Sequence, residues 1–207
     1  MVHLTRIYTR TGDDGTTALG DNSRTSKNDP RLIAYADVDE ANSAVGVALA
    51  MAGSSLGEDV GDLLRRVQND LFDVGADLCT PLSEKPPYPP LRVTPGYVTD
   101  LERACDTYNE QLEPLRSFVL PGGSPGSAYL HVARTVTRRS ERSVWAAVLA
   151  CGADVEGGVN PLTAQYLNRL SDLLFILCRL ANKAAGGDVL WAPGGGRQSP
   201  AGPEAAT

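Results

Sequence analysis

Arg134, Arg138, Arg139 and Arg142 fall within the stretch LHVARTVTRRSERSV, with Glu141 among them. On a helix, Arg134, Arg138 and Arg142 recur at i, i+4 and i+8 and share one face. Like charges at that spacing repel by roughly 0.2–0.5 kcal/mol per pair. In a chain of formal net charge −6, such a concentration of cations suits the neutralisation of a bound polyanion. A solvated basic face with Glu141 as local counter-ion would leave the same pattern. A second segment, TRTGDDGTT at Thr9–Thr17, adds weight to the anion reading. Gly12 and Gly15 permit backbone shapes that point successive N–H groups at an anion, and Thr9, Thr11, Thr16 and Thr17 supply hydroxyl donors. Lys27 follows as a point charge. The segment is neither a G-x-x-x-x-G-K-[ST] phosphate loop nor a G-x-G-x-x-G dinucleotide turn. Taken alone, GDDG also describes an Asx-type turn, and Asp13 and Asp14 would repel phosphate without an intervening metal ion.

Other classes of function fit the chain less well. Acidic residues outnumber basic ones by 25 to 19, so the broad basic surface that nucleic acid needs is missing. No apolar run approaches the roughly 20 residues that span a bilayer. The opening MVHLTRIYTRTGDD carries no apolar secretory core. No nucleic-acid or membrane partner is expected. Cys79, Cys105, Cys151 and Cys178 form no C-x-x-C pair, and only His3 and His131 accompany them. They read as reduced, mostly buried residues of a cytoplasmic protein rather than as zinc ligands.

Helices must position these groups. Apolar residues at Val38, Ala41, Val45, Ala48 and Leu49 give helix spacing over Leu32–Ala52. Val60, Leu63, Leu64, Val67, Leu71, Val74 and Leu78 predict a second helix from about Leu56 to Leu78. The proline-rich stretch Thr80–Pro95 must be a loop. A third helix starts at Pro95, with Tyr97, Leu101, Cys105, Tyr108 and Leu112 on one face. LPGGSPG then breaks the chain ahead of the arginine helix, about Ser127–Ala150, and the last helix covers about Pro161–Ala185. A short strand is expected at Leu4–Thr9. The pattern predicts an all-α protein, a five-helix up-and-down bundle with an N-terminal phosphate-binding loop. Residues 1–186 form the domain, and residues 187–207 form a flexible tail rich in glycine, proline and alanine.

Five blocks in this order carry a specific resemblance: TRTGDDGTT; KNDPR with YADVDEANSAVG at Lys27–Gly46; FVLPGG at Phe118–Gly123; LHVARTVTRRSER at Leu130–Arg142; and YLNRLSDLLF at Tyr166–Phe175. Together they resemble the PduO-type ATP:cob(I)alamin adenosyltransferases over roughly residues 5–183. The departures are Ala36, where that family usually carries glycine, and Ala41, where it usually carries leucine. Both are packing positions.

The resemblance implies transfer of the 5′-deoxyadenosyl group of ATP to cob(I)alamin, with ATP and cobalamin as substrates and Mg²⁺ bridging the triphosphate. It implies a homotrimer with active sites between subunits. Thr9, Arg10, Thr11, Gly12, Thr16, Thr17 and Lys27 would hold ATP from one subunit. Arg138, Arg139, Glu141, Arg142 and Asn168 would hold it from the next. Asp39 would pair with Arg134 across the interface, and Phe118 would press on the lower face of the corrin. A reductant for cob(II)alamin and an adenosylcobalamin-dependent mutase are the implied partners. No protein ligand of Mg²⁺ is assigned. A non-catalytic ATP or corrinoid carrier or sensor, and a helical scaffold, are the competing readings. Without the resemblance, Phe118 reads equally as a core anchor, Asp39 as a surface acid near a helix start, and Asn168 as solvent-facing. The apolar cluster Val189, Leu190 and Trp191 is expected to fold over bound cobalamin.

Overall fold

The computed structural model describes residues 8–183 and 185–195. Five helices form its body: α1 (Pro30–Ala52), α2 (Glu58–Cys79), α3 (Pro95–Asn109), α4 (Pro125–Cys151) and α5 (Leu162–Lys183). The five-helix bundle expected from the apolar periodicity is present. A 3-10 turn, Gly53–Leu56, links α1 to α2. The pattern did not announce a small antiparallel hairpin, β1 (Thr16–Ala18) with β2 (Arg24–Ser26), in which Thr17 lies opposite Thr25.

Local chemistry sets the helix ends. Asp29 accepts from the Arg31 amide at 2.9 Å, and Pro30 occupies the first turn. These two residues start α1 ahead of Leu32, because a capping carboxylate satisfies a free amide and proline gives up none that the helix needs. Ser124 caps α4 in the same way, accepting from the Ser127 amide at 3.2 Å with Pro125 next in line. The third helix ends at Asn109, so Leu112 lies beyond it rather than on its apolar face.

Small residues set the closest packing. Ala34, Ala41 and Ala48 of α1 and Ala133, Ser140 and Ala147 of α4 repeat every seven positions and are all fully buried. Short side chains at that spacing let two helices approach closely. The contact is antiparallel, since Ser140 donates to the Asp37 carbonyl (2.7 Å) and Arg139 to the Glu40 carboxylate. On the other side of α4, α5 contributes Leu167, Leu170, Leu174 and Leu177, none of them exposed. Tyr97 and Tyr108 of α3 and Tyr166 of α5 donate to Asp73, Asp59 and Asp70 of α2 at 2.9, 2.9 and 3.1 Å. These three bonds tie α2 to the opposite side of the bundle and satisfy phenols that would otherwise be buried without partners.

Beyond α5 the chain turns back. The Leu120 amide donates to the Val189 carbonyl (2.8 Å) and the Trp191 amide to the Phe118 carbonyl (2.7 Å). Asp188 pairs with Arg179 at 2.8 Å. The segment expected to be flexible from residue 187 thus starts as a strap against the loop that carries Phe118. Residues 196–207 lie outside the described residues. So does most of the strand expected at Leu4–Thr9; Tyr8 and Thr9 adopt no strand.

Candidate active site

The N-terminal loop is built to keep its backbone open. Arg10 takes φ 62° and Gly15 φ 81°, the left-handed region that costs an ordinary side chain roughly 1–2 kcal/mol. A side chain at position 12 would meet the Thr16 carbonyl at 2.9 Å and the Lys27 ammonium at 3.0 Å. Gly12 is therefore what allows Lys27 to lie against the loop. The Asx-type turn is also present: Asp14 accepts from the Thr16 amide (3.0 Å) and hydroxyl (2.7 Å), and lies 3.7 Å from Arg24. The Thr16 bonds, helped by Arg24, hold the Asp14 carboxyl below its ordinary range. Arg24 also donates to the Thr11 carbonyl at 2.7 Å and to the Thr16 hydroxyl. Arg24 thereby offsets part of the Asp14 charge, while the Thr16 hydroxyl already donates its hydrogen bond to Asp14. Thr9 and Thr11 share a hydroxyl contact of 3.0 Å, Thr17 sits half-buried in β1, and Lys27 is exposed.

The four arginines lie where the helical spacing puts them. Arg134, Thr135, Arg138, Arg139, Glu141 and Arg142 line a depression of about 390 Å³ on α4. Among the described residues only Arg139 of the four has an ion pair, with Glu40 of α1. Glu141 pairs with none of them and instead accepts from Asn168 Nδ2 at 3.1 Å. The counter-ion explanation for the basic face thus fails at Glu141 and holds only for Glu40. No hydrogen bond or ion pair among the described residues joins this face to the loop of residues 9–17. Asp39 is exposed and makes no ion pair among the described residues, and Asp172 is likewise exposed.

Phe118 is 75% exposed, which rules out a core anchor. It meets Trp191 edge-on at 6.0 Å. Beside this strap, His131 and Arg134 of α4 flank the Phe175 ring at 6.3 and 6.0 Å. His131 is 3% exposed, and among the described residues neither of its ring nitrogens has a hydrogen-bond partner, nor has Arg134 Nε. Burial, reinforced by Arg134 and opposed by Asp188, lowers the His131 pKa. The unfolded chain then takes up a proton near pH 6.5 that the folded chain refuses. Stability should fall as pH drops below about 6.5. Thermal unfolding between pH 7.5 and 5.5 checks this: the wild type should lose more than His131→Leu.

The periodicity missed several residues that shape the site. Arg24 and Glu40 carried no signal beyond their charge, because their partners lie on other elements. Asp29-Pro30 was readable as a cap.

Fold and site together describe a helical bundle with a cationic helix face suited to an anion. Residues 7–181 match the family described as cobalamin adenosyltransferase, and the chain belongs to that family. It is 63% identical over 196 residues to the corrinoid adenosyltransferase of Mycobacterium tuberculosis, covering 95% of this chain and 97% of that one. It is 47% identical over 189 residues to the cobalamin adenosyltransferase of Cupriavidus metallidurans, covering 91% and 95%. Among solved structures, it resembles a phenylalanine-to-histidine variant of the PduO-type ATP:corrinoid adenosyltransferase of Lactobacillus reuteri, complexed with cobalamin and ATP. That match has a TM-score of 0.80 at 34% identity, over 90% of this chain and 96% of the other.

Proposed function

We propose that this chain transfers the 5′-deoxyadenosyl group of ATP to the cobalt of cob(I)alamin, giving adenosylcobalamin and triphosphate. The observation that carries the reading is the α4 depression, where three of four clustered arginines have no ion pair among the described residues. The cobalt electron pair attacks C5′ of ATP, a Co–C bond forms, and the C5′–O bond breaks with triphosphate as leaving group. Arg138, Arg139 and Arg142 meet the charge that gathers on that group, and Thr9, Arg10, Thr11, Gly12, Thr17 and Lys27 hold it from the loop. No group is deprotonated, so the reaction needs no general base.

Magnesium belongs to the triphosphate. Mg²⁺ binds mainly phosphate oxygens and water with one or two carboxylates, and the exposed Asp13 beside the loop hydroxyls fits that modest demand. When bound, it would neutralise part of the leaving-group charge. The test of the whole reading is direct. ATP, Mg²⁺ and chemically reduced cobalamin are mixed with the protein, and the adenosylcobalamin spectrum is followed together with released triphosphate. Binding without turnover would make the protein a carrier or sensor.

Assembly into a homotrimer is part of the proposal. Ile33, Val47 and Met51 of α1 and Val132, Trp145 and Leu149 of α4 are exposed, Leu149 to 89%. Apolar stripes at either end of a charged centre fit burial against further copies of the chain. The absence of any bond between loop and arginines among the described residues fits a site completed by the neighbour. If Asp39 meets the neighbour's Arg134, Asp39→Asn leaves a desolvated cation at a cost of up to about 3–5 kcal/mol. Light scattering should then show trimers dissociating at higher concentration, with partial recovery in Asp39→Arg combined with Arg134→Asp. Additive losses without recovery would disprove the pairing.

The exposed Phe118, backed by Trp191, fits a wedge under the corrin. Folding of the exposed residues Val189, Leu190 and Trp191 over bound corrinoid is supported by their backbone bonds to the loop that carries Phe118. A cytoplasmic setting agrees with four free cysteines; burial pushes the Cys105 and Cys178 thiols up to about 11 and 12, keeping them protonated and unreactive. A cob(II)alamin reductant and an adenosylcobalamin-dependent mutase are the partners such chemistry calls for.

A further inference from the structure

We propose that Arg169 is a positioning residue for the triphosphate site: acting through Asn168, it holds Glu141 off the arginines of α4. The inference rests on the assignment of that helix face to triphosphate. Arg169 Nη1 donates to Asn168 Oδ1 at 2.6 Å, and Asn168 Nδ2 donates to Glu141 Oε1 at 3.1 Å. The first bond selects the second. An amide presents oxygen on one side and two N–H donors on the other, so an oxygen fixed toward Arg169 leaves its donors for the Glu141 carboxylate. Arg169 is itself anchored on α3, where its Nε donates to Glu102 Oε1 at 2.8 Å. The Glu102 bond, opposed by burial and helped by the coulombic pull of the same carboxylate, raises the Arg169 pKa. Three helices thus converge on the orientation of one carboxylate.

The consequence is electrostatic. Glu141 lies three residues after Arg138 and one before Arg142, within helical reach of an i,i+3 ion pair. Among the described residues it makes no such pair. Released from Asn168, its carboxylate would swing onto Arg138 and compete with a bound anion for the same guanidinium. With Arg169 in place, the acid sits beside the arginines without neutralising them. The third helix, which adds nothing to the depression on α4, enters the site by way of Glu102.

Binding of inorganic tripolyphosphate, followed by titration calorimetry on the wild-type chain, sets the reference. Arg169→Gln is expected to weaken it about fivefold, roughly the worth of one partly exposed ion pair gained by Glu141. Arg169→Lys keeps the charge but not the forked geometry that reaches two partners, and should fall in between. Adding Glu141→Gln to Arg169→Gln removes the competing charge and should bring binding back to within about twofold of the reference. Unchanged affinity in Arg169→Gln overturns the inference, as does a loss that Glu141→Gln fails to restore. A wild-type chain that does not bind tripolyphosphate overturns the phosphate assignment of α4 itself. Arg169 is 41% exposed, so glutamine there removes the bonds without opening the core, and a melting temperature close to wild type separates positioning from folding.

Discussion

Phe118→Ala is expected to remove most of the adenosylation that starts from cob(II)alamin and a reductant, by roughly a hundredfold, or about 2.7 kcal/mol in the barrier. Pre-reduced cob(I)alamin should still be adenosylated at a rate much nearer wild type, and ATP affinity should barely move. The asymmetry follows from the wedge role proposed for the ring. Phe118 is 75% exposed and, among the described residues, meets the ring of Trp191, so its removal costs the fold little. A lower axial ligand makes cob(II)alamin hard to reduce, and an apolar ring that excludes the ligand eases the electron's arrival. Once Co(I) exists, the wedge has finished its task. Equal losses with both oxidation states would show that Phe118 acts on binding alone.

Arg138→Ala should be the most damaging single change on the nucleotide side. Arg138 has no ion pair among the described residues, so its guanidinium is fully available to an anion. Each charge-assisted hydrogen bond lost costs about 1.5–3 kcal/mol, or roughly ten- to a hundredfold in transition-state stabilisation. The loss should appear in kcat/KM for ATP, with corrinoid affinity near wild type. Turnover within about twofold of wild type would remove Arg138 from the leaving-group site. Arg139 makes an instructive contrast, because it is already paired with Glu40. Its removal forfeits an ion pair within the chain as well as any contact with ATP, and its effects mix the two.

Much of the architecture was legible beforehand. The apolar repeat of α2 survives in the structure because that helix buries one face and leaves the other to solvent, and the denser repeat of α5 survives because that helix is covered on most sides. The first turn of α1 begins at Pro30, ahead of an apolar spacing that starts only at Leu32, and its signal is the cap Asp29-Pro30. Leu112 was misplaced for the opposite reason: the period continued past the point where the backbone left the helix. The hairpin of Thr16–Ala18 and Arg24–Ser26 was invisible, because strands of three residues are too short to show alternation.

The sequence by itself determined that Arg134, Arg138 and Arg142 would share one helix face, because side-chain direction on a helix follows directly from spacing. It determined the family as well, through blocks whose order admits few other readings. Which charges stay free was decided only by the tertiary structure. Glu141, adjacent in sequence to Arg142, turned out to be held by Asn168 of another helix, while Glu40, 99 positions away, took Arg139. Phe118 proved exposed and His131 buried with no hydrogen-bond partner among the described residues, against what residue type alone suggests. Charge pairing and burial depend on what the neighbouring helices bring within a few ångströms, and local sequence carries no record of that distance.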